Sequence, residues 1–355
     1  MSCSQTDLTA TTITNAPTPT SISGASRSGT SRRLFVSDNP EELKDSRIFT
    51  NNMATLWHDT AWGLTRVSYR VYIWHYNNLG TKARIAVTVG NASTTSKLKI
   101  ENVRWQLSSE IPNNRDFLTG SGLCLAKAQL GGTLDSTTPV DSVVESNRLG
   151  IVKEFEISNG YVRGAVLEFD IASSDNSEML YKVRTVAANS STANFRNHQG
   201  APVTSDGTHP RGSWSFSDLV GNKITFNLGS GRQSVNISNG STDNLFTAGS
   251  SYDSANALDN KGHYGANYTV NVDLNNNTDS DKTAILYLNA RGATYIGAVR
   301  VNNGTTYGVP KISQLTGAVK IHQVLVPKRS TVPVKVELAH GGGGAMPVAL
   351  LCEVV

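Results

Sequence analysis

The sequence has few cysteines and no long apolar segment. Its 355 residues include three cysteines, Cys3, Cys124 and Cys352, which are odd in number and widely spaced. They form no Cys-x-x-Cys motif and no Cys/His spacing, so a cysteine-based zinc site is excluded. No segment approaches the roughly 18 apolar residues that span a membrane. The N-terminus lacks the basic and apolar regions of a secretory signal peptide, so either a leader has already been removed or the protein reaches its destination without general secretion, and Met1 favours the second.

Charge is also sparse. Charged residues make up 17% of the chain and the formal net charge is only +4. The basic residues occur singly or in pairs, such as Arg32–Arg33 and Lys328–Arg329, without the basic stripe interleaved with aromatics that binds nucleic acid. We therefore expect no nucleic-acid partner.

Motifs for catalysis are absent from the sequence. It contains no GxSxG elbow, no HExxH helix motif and no phosphate-binding glycine loop. His340 precedes Gly341–Gly344, as in an oxyanion loop, but such a loop needs a nucleophile elbow elsewhere. We expect a flexible turn there, no enzyme activity and no cofactor.

Alternating polar and apolar residues are the main pattern that is present. It occurs twice, around residues 66–89 and 264–288, each time as two alternating strands joined by an Asn-rich turn. Strict alternation places one set of side chains on a buried face, so each stretch is predicted to be a half-buried antiparallel hairpin. Tyr268, Val270 and Val272 share one such face. Two similar stretches some two hundred residues apart predict two similar domains.

The predicted fold is all-β, with two tandem antiparallel, jelly-roll-like β-sandwiches behind a flexible arm. A chain of this length suits two domains at roughly 100–200 residues each. Residues 196–213 are rich in Pro and Gly without periodicity, which indicates a boundary. The predicted units are an arm at 1–33, a first sandwich at 34–200 and a second at 201–355.

The arm contains a segment of high β propensity, LTATTITN. Thr9, Thr11 and Ile13 in this segment are candidate assembly residues, since the segment can add as a strand to a neighbouring subunit's sheet. The alternative is an arm disordered in the isolated monomer. Cys3 lies in the same arm and is either a free terminal thiol or a candidate for an intermolecular disulfide that locks the contact.

One segment has the oxygen-rich spacing of a calcium loop. Its candidate ligands fall at alternate positions and are Asp273, Asn275, Asn277, Asp279 and Asp281. Thr278 occupies the sixth position, where a calcium loop has Gly, and no Glu stands at the twelfth. A solvated hairpin loop is the alternative, because Asn and Asp also favour turns.

Three tryptophans are a candidate glycan platform. Trp57, Trp62 and Trp74 lie close together in sequence, and an exposed row of them would stack on sugar rings. Core packing is the alternative. In the string Trp57-His58-Asp59, neighbouring residues of a strand point to opposite faces, so His58 and Asp59 are not expected to bond each other.

Several strings carry a resemblance to a known family. In the first half they are Ser37-Asp38-Asn39-Pro40-Glu41, then Arg70, His75 and Asn77; in the second they are Gly262–Tyr268, Asn289–Gly292, Tyr295 with Gly297–Val299, and Gly341–Gly344 with Met346–Val348. They resemble an uncharacterised β-rich module of Firmicutes surface proteins, whose relatives often carry a copper-amine-oxidase-like label. The seven histidines include no close His-x-His pair for copper. The resemblance implies a surface β-fold, and the missing leader favours deposition on a spore from the mother cell.

The sequence predicts a non-enzymatic structural protein that self-assembles on a bacterial surface. The assembly would be a spore layer, a filamentous appendage or a parasporal structure, and the partner would be the chain itself, through sheet edges and the arm. One alternative is a carbohydrate-binding surface module or adhesin that uses the tryptophans. Another is a virion capsid or fibre subunit.

Overall fold

The computed structural model describes residues 6–29, 32–44 and 48–355, and in these ranges the chain is almost entirely β-structure. Its strands form four sheets. One α-helix is described, α1 (Leu123–Gly131), which follows a single π-helical turn at Leu118–Gly122. Within the described ranges, no helix is long and apolar enough to cross a membrane.

Short strands open the chain, and two groups of longer strands follow. The opening strands are β1 (Ala10–Thr12), β2 (Thr20–Ser21) and β3 (Ala25–Arg27). The first group consists of β4 (Arg33–Ser37), β5 (Glu42–Leu43), β6 (Met53–Leu64), β7 (Arg66–Asn77), β8 (Ala83–Asn91), β9 (Leu98–Leu107), β10 (Ile111–Pro112), β11 (Asp135–Ser136), β12 (Val143–Val144), β13 (Leu149–Ile157), β14 (Tyr161–Ser173), β15 (Met179–Ala188) and β16 (Arg211–Trp214). The second consists of β17 (Asp218–Asn227), β18 (Gln233–Ile237), β19 (Asn267–Asn276), β20 (Lys282–Ala290), β21 (Tyr295–Val301), β22 (Thr306–Ile312), β23 (Gly317–Val326), β24 (Ser330–His340) and β25 (Val348–Val354).

The first sandwich packs a four-stranded sheet on a larger one. The four-stranded sheet has the order β13-β8-β15-β6, and the larger sheet has the order β11-β9-β14-β7-β4-β16. Both β11 and β12 pair with β9 and act as one interrupted strand. Alternate side chains of the two sheets, such as Val71, Ile73 and Val87, fill the core between them.

The second sandwich repeats this order. Its sheets contain β23-β20-β25-β18 and β22-β21-β24-β19. The strands of each sandwich can be numbered one to eight from β6 and from β18, with the short β10 left out and β11 and β12 taken together. Both sandwiches then read 6-3-8-1 and 5-4-7-2. This is the two-Greek-key order of a jelly roll. The predicted all-β fold of two tandem jelly-roll sandwiches is therefore confirmed.

Each jelly roll also carries the same additional strand. In the first sandwich β4 runs parallel to β7, and in the second β17 runs parallel to β19. Each of these additional strands pairs in turn with an antiparallel strand: β16 pairs with β4, and β3 pairs with β17. The repeated stretches in the sequence are thus equivalent strands of two related sandwiches.

The prediction that each repeated stretch forms a hairpin is wrong. β7 pairs with β14 and β4, whereas β8 pairs with β13 and β15 in the opposite sheet. β19 and β20 are separated in the same way. Alternation fixes which face of a strand is buried, but it does not fix the partner strand, and a jelly roll carries this connection from one sheet to the other. The hairpin turn at Asn302–Asn303 does join paired strands, β21 and β22.

The apolar cluster of the second sandwich extends onto the outer face of the first sandwich and joins the two. The larger sheet of the first sandwich turns Val71 and Ile73 inward, and it turns Tyr72 and Trp74 toward the second sandwich. α1 fills the space between them, with Leu125 in the shared cluster. The sheet is therefore covered on both faces, which is typical of a permanent contact rather than a flexible linkage.

Backbones at this contact approach very closely. A Cβ atom on Gly122 would lie 2.3 Å from the carbonyl oxygen of Gly342, and one on Gly342 would lie 2.4 Å from the Trp74 ring. Gly341–Gly344 therefore does not form the flexible turn expected from the sequence. These glycines let the connection between β24 and β25 press against the first sandwich.

The N-terminal arm wraps around the second sandwich of its own chain. β1 pairs with β23, β2 with β18 and β3 with β17, so the arm covers three strands that would otherwise be sheet edges. Ile13 and Ile22 anchor it, with 7% and 3% of their surface exposed. The described part of the arm is thus paired, in contrast to the flexible arm expected from the sequence.

Pairing also extends past the boundary expected at residues 200 and 201. β16 (Arg211–Trp214) adds to the larger sheet of the first sandwich through β4. The Trp57 indole N–H donates to Ser213 Oγ at 2.9 Å, which ties this strand to the first core. The Pro/Gly-rich segment follows β15, but the chain passes from the first sandwich to the second only after β16.

Candidate functional site

Three ligating side chains meet beside the contact between the sandwiches. Asp38 and Glu41 lie in the turn after β4, and His209 lies just before β16. One ligand atom of each lies within 4.8 Å of the others, and no other such His, Cys, Asp or Glu group occurs in the described part of the chain. His209 Nε2 is 2.8 Å from Glu41 Oε2, and Nδ1 is 3.7 Å from Asp38 Oδ2. We call these residues the seam triad.

A side-chain amide holds the two segments of the seam triad together. Asn39 Nδ2 donates to the carbonyl oxygens of Asp206 and His209, and Asn39 Oδ1 accepts from the Asp206 amide. The Trp74 indole N–H donates to Glu41 Oε1 at 3.2 Å. The strings singled out as a family resemblance, around Asp38 and Asn39, therefore position this site.

Burial sets the electrostatics of Asp38. The side chain lies almost entirely inside the protein, and burial raises the pKa of its carboxyl to about 7 in spite of the nearby imidazole. Asp38 Oδ1 has no hydrogen-bond partner. Hydrogen bonds to Asp38 and Glu41 raise the pKa of His209 to about 10. The site therefore holds a buried carboxyl group whose Oδ1 has no hydrogen-bond partner and whose Oδ2 lies 3.7 Å from His209 Nδ1.

A cavity adjoins the site from the side of the second sandwich. It has a volume of about 590 Å³, and its wall includes His209, Tyr264 and Met346. The Tyr264 ring stacks on Tyr72 with 6.0 Å between centroids. His209 thus lies between this cavity and two carboxyl groups, that of Asp38, which is buried, and that of Glu41, which is partly exposed.

A second polar cluster resembles a nucleophile with two bases. Ser238 Oγ lies 2.8 Å from His340 Nε2 and 3.2 Å from His263 Nδ1, and Ser238 has a φ of +50°. Asp243 accepts hydrogen bonds from the Ser238 amide and from the Tyr268 hydroxyl. Burial lowers the pKa of His263 to about 4 and that of His340 to about 3. Ser238 has no exposed surface, so no substrate reaches it and the cluster acts in packing.

In the candidate calcium loop, donors of the protein itself contact the proposed ligand oxygens. Asp273 Oδ2 lies 2.5 Å from Lys223 Nζ, and Asp279 Oδ1 lies 2.6 Å from Arg329 Nη2. Asp281 Oδ1 accepts the backbone N–H of Lys328 at 2.8 Å. Asn275 pairs with side chains of adjoining segments, and Gly229 packs against Asn277. The strand β19 ends at Asn276, inside this segment, and calcium binding by the segment stays a prediction.

Of the three tryptophans in the predicted glycan platform, two are buried and one is exposed. Trp57 and Trp74 are buried in different cores, whereas Trp62 is 73% exposed. His58 pairs with Asp253 at 2.7 Å, and Asp59 instead accepts from Arg33 and Tyr69, so the expected separation of His58 and Asp59 is confirmed. Trp62 alone remains available to a ligand.

The predicted assembly residues lie in the paired arm. Thr11 stands opposite Ala318 in β23, and Ile13 packs on Ala318 and Leu351. Thr9 lies just before β1 and is exposed. In this structure the strand addition expected between subunits occurs within one chain. Cys3 lies outside the described residues.

The other two cysteines are buried. Cys352 is a free core thiol, and burial raises its pKa to about 12. Cys124 is fully buried and disulfide-bonded.

No sequence motif marks the seam triad as a site. Asp38 and Glu41 stand three positions apart, but His209 lies far along the chain in a Pro/Gly-rich connection. A histidine in such a connection carries no ligand spacing that a motif could detect. The sequence signal nearest to the site is the Ser37–Glu41 string, which contributes to the family resemblance and contains two of the three ligating residues.

Comparisons with known proteins give no family. No family model and no curated protein matches the sequence. Among solved structures, the chain is similar to the CUB1-EGF-CUB2 domain of human MASP-1/3, at 8% identity and a TM-score of 0.20, over 86% of this chain and 100% of that chain. It is also similar to the N-terminal CBM22-1-CBM22-2 tandem domain of Paenibacillus barcinonensis Xyn10C, at 8% identity and a TM-score of 0.17, over 96% of this chain and 92% of that chain.

Proposed function

We propose that this chain is a non-enzymatic structural subunit that assembles with copies of itself into a shell, of the kind that jelly-roll subunits build in virus capsids. The observation that carries the proposal is the pair of jelly rolls with identical strand order, joined through one apolar cluster. Jelly rolls build both viral capsids and lectin domains, so this architecture supports the capsid alternative and is compatible with the glycan-binding one. A spore or surface layer is built by the same kind of contact.

Rigidity supports this role. The larger sheet of the first sandwich is buried on both faces, and glycine backbones interlock at the contact. A subunit that repeats in a closed assembly must present its contact surfaces at fixed angles, because an angular error accumulates from one copy to the next. A tandem sandwich joined by one apolar cluster meets this requirement better than two domains on a flexible linker.

The arm supplies a contact that can be exchanged. All five residues of β1 and β2 are exposed, and the described part of the arm relies on Ile13 and Ile22 for burial. Every copy offers the same edges at β23, β18 and β17, so an arm from a neighbour would find an identical site. Exchange of identical segments links subunits without requiring a new surface.

An exposed apolar patch is a second candidate contact. Trp62 and Leu180 stand opposite each other on β6 and β15, and they are 73% and 46% exposed. Leu64, at the end of β6, is 38% exposed. We assign this patch to contact with a second copy, since β6 is the edge of its sheet.

The polar clusters favour a role without catalysis. The Ser238 cluster is sealed, and the carboxylates of Asp273 and Asp279 are taken by basic side chains. Glycan binding remains a second candidate function because Trp62 is exposed beside a cleft that Leu180 also lines.

A matched pair of proline variants tests the assembly role. Ile13 donates its amide to Thr316, so the alternation of an antiparallel ladder directs the Thr11 amide toward β23 and the Thr12 amide outward. Thr11→Pro removes a ladder bond, whereas Thr12→Pro removes none. Light scattering and negative-stain microscopy should show large regular particles for wild type and Thr12→Pro, and fewer or smaller ones for Thr11→Pro.

Two outcomes would separate the candidates. A wild-type protein that stays at 38.0 kDa at all concentrations would contradict the assembly role. Trp62→Ser should weaken assembly if the patch binds a second copy. If this variant loses binding on a glycan array while its assembly state is unchanged, the glycan-binding role is supported instead.

A further inference from the structure

We infer that the seam triad is a binding site for a divalent transition-metal ion, with Asp38, Glu41 and His209 as protein ligands and Zn²⁺ as its reference ion. The geometric basis is that one ligand atom of each side chain lies within 4.8 Å of the other two. This inference is independent of the assembly role, since the triad lies within one chain.

The unpartnered oxygen of Asp38 points to a missing ligand. Asp38 is 5% exposed, and its Oδ1 has no hydrogen-bond partner. That oxygen belongs to the same carboxyl group whose Oδ2 lies 3.7 Å from His209 Nδ1. A buried carboxylate oxygen that has lost its water and gained no donor is unfavourable, and a bound cation removes this penalty.

The site is held in place before any ion binds. Asn39 connects the Asp38 turn with the His209 segment by three hydrogen bonds, and the Asp38 amide donates to the Pro210 carbonyl at 3.1 Å. Outer contacts of this kind orient metal ligands and raise affinity. Because the partners are backbone groups of both segments, the two ligand-bearing segments move little relative to each other.

The ligand set selects the class of ion. One imidazole and two carboxylates match Zn²⁺ and other first-row metals, which accept nitrogen together with oxygen. Calcium instead takes six to eight oxygen ligands, and this site offers carboxyl oxygens from two residues only. The cavity beside His209 leaves room for water to complete the coordination.

The ion would join the first sandwich to the connection that leads into the second. Asp38 and Glu41 follow β4, whereas His209 precedes β16, the strand that pairs with β4. A metal bridge across these segments would fix the point at which the chain passes between the sandwiches. Any ion that binds the folded state alone also stabilises it by mass action.

Calorimetric titration of the tag-free, chelator-treated full-length chain with ZnCl₂ tests the inference. We expect one Zn²⁺ per chain and a higher melting temperature in Zn²⁺. Loss of an outer contact alone weakens metal affinity by roughly 10–100-fold, so Asp38→Asn and His209→Gln should each weaken it at least tenfold. Co²⁺ should give a visible absorption band that both variants lose.

A second histidine–carboxylate pair provides the matched control. His58 Nε2 lies 2.7 Å from Asp253 Oδ2, and this pair belongs to no three-residue ligand group in the described part of the chain. Asp253→Asn should therefore keep the wild-type Zn²⁺ affinity. Asp38→Asn removes a buried charge with an unpartnered oxygen, so without metal its melting temperature should equal or exceed that of wild type.

The inference would be overturned by three results. They are the absence of saturable Zn²⁺ or Co²⁺ binding to the wild type, equal affinity in wild type, Asp38→Asn and His209→Gln, or a loss of affinity in Asp253→Asn as large as in the triad variants. His209→Gln keeps the test decisive if Asp38→Asn fails to fold, because the His209 side chain is 46% exposed.

Discussion

Buried charge in the first sandwich is neutralised by several partners at once. Glu168 is 3% exposed, and its oxygens lie 2.9 Å from Arg70, 2.6 Å from Arg104 and 3.3 Å from Arg32. Burial alone would raise the pKa of Glu168, but Arg70 and Arg32 outweigh burial and hold that pKa below its usual range. The carboxylate therefore stays ionised and keeps Arg70, which is also buried, compensated.

Replacing this carboxylate should strongly destabilise the protein. Glu168→Ala leaves the Arg70 guanidinium buried without its main partner, and breaking a buried pair in this way costs about 3–5 kcal/mol. The free energy of unfolding from urea titration measures the effect. Asp279→Ala, which breaks an exposed pair with Arg329, is the control and should leave the unfolding midpoint close to wild type. Equal losses in both variants would contradict the explanation.

The two sealed histidines make stability depend on pH. Burial lowers the pKa of His263 to about 4 and of His340 to about 3, whereas both titrate near 6.5 in the unfolded chain. Between these values the unfolded state binds more protons, so stability is full above pH 6.5 and falls as pH decreases toward 4. Each histidine contributes a slope of at most about 1.4 kcal/mol per pH unit.

Urea titrations at pH 7, 6 and 5 measure this slope. His340→Gln should reduce the slope, because one of the buried sites no longer titrates. His322→Gln is the control: partial burial lowers the pKa of His322, but its side chain lies on the outer part of β23, so the slope should change less. An unchanged slope in His340→Gln would show that this histidine is not neutral in the folded protein.

At the level of elements, the arm is held by a small number of buried side chains. Ile22 lies between β2 and β3, is 3% exposed and donates its amide to Asn236. The strands on either side of it are largely exposed. We therefore expect the arm to open as a unit, at a lower free energy than the sandwiches.

Ile22→Ser should release the arm while the sandwiches stay folded. Loss of a buried Ile side chain typically costs 2–5 kcal/mol, so arm opening should become at least tenfold more frequent. Tryptic cleavage after Arg27, whose backbone pairs with Leu219 in β17, measures this opening. Thr18→Ser, at an exposed arm position, should be cleaved at the wild-type rate. Equal cleavage rates in both variants would show that Ile22 does not anchor the arm.

At the level of the whole molecule, the apolar cluster that joins the two sandwiches should make them unfold together. Gly122 has φ −61° and ψ −48°, which alanine adopts without strain. Its Cβ would nevertheless lie 2.3 Å from the Gly342 carbonyl oxygen. Gly122→Ala therefore acts by pushing the backbones apart at the contact between the sandwiches.

Scanning calorimetry should show one transition for the wild type and two for Gly122→Ala. Gly249→Ala is the matched control, because a Cβ there would meet no atom within 4 Å, and it should keep a single transition. Two transitions already present in the wild type would mean that the contact between sandwiches is weaker than its burial indicates.

The sequence alone determined the fold class and the repeated design. Period-two alternation in stretches such as Tyr268–Leu274 specifies which side chains are buried, and this information is local. The turn between β21 and β22 is also local, because it has positive φ at Asn302 and Asn303 and Asn-Gly sequences favour that conformation. The family resemblance and the surface location remain predictions.

Tertiary structure alone decided the strand partners, the destination of the arm and the site. β7 and β8 read as a hairpin but lie in opposite sheets, because alternation carries no information about partners. The arm has strand propensity, but only the exposed edges of the second sandwich determine where it pairs. Asp38 and His209 become neighbours only when β16 folds back onto β4, so their common site depends on contacts between distant parts of the chain.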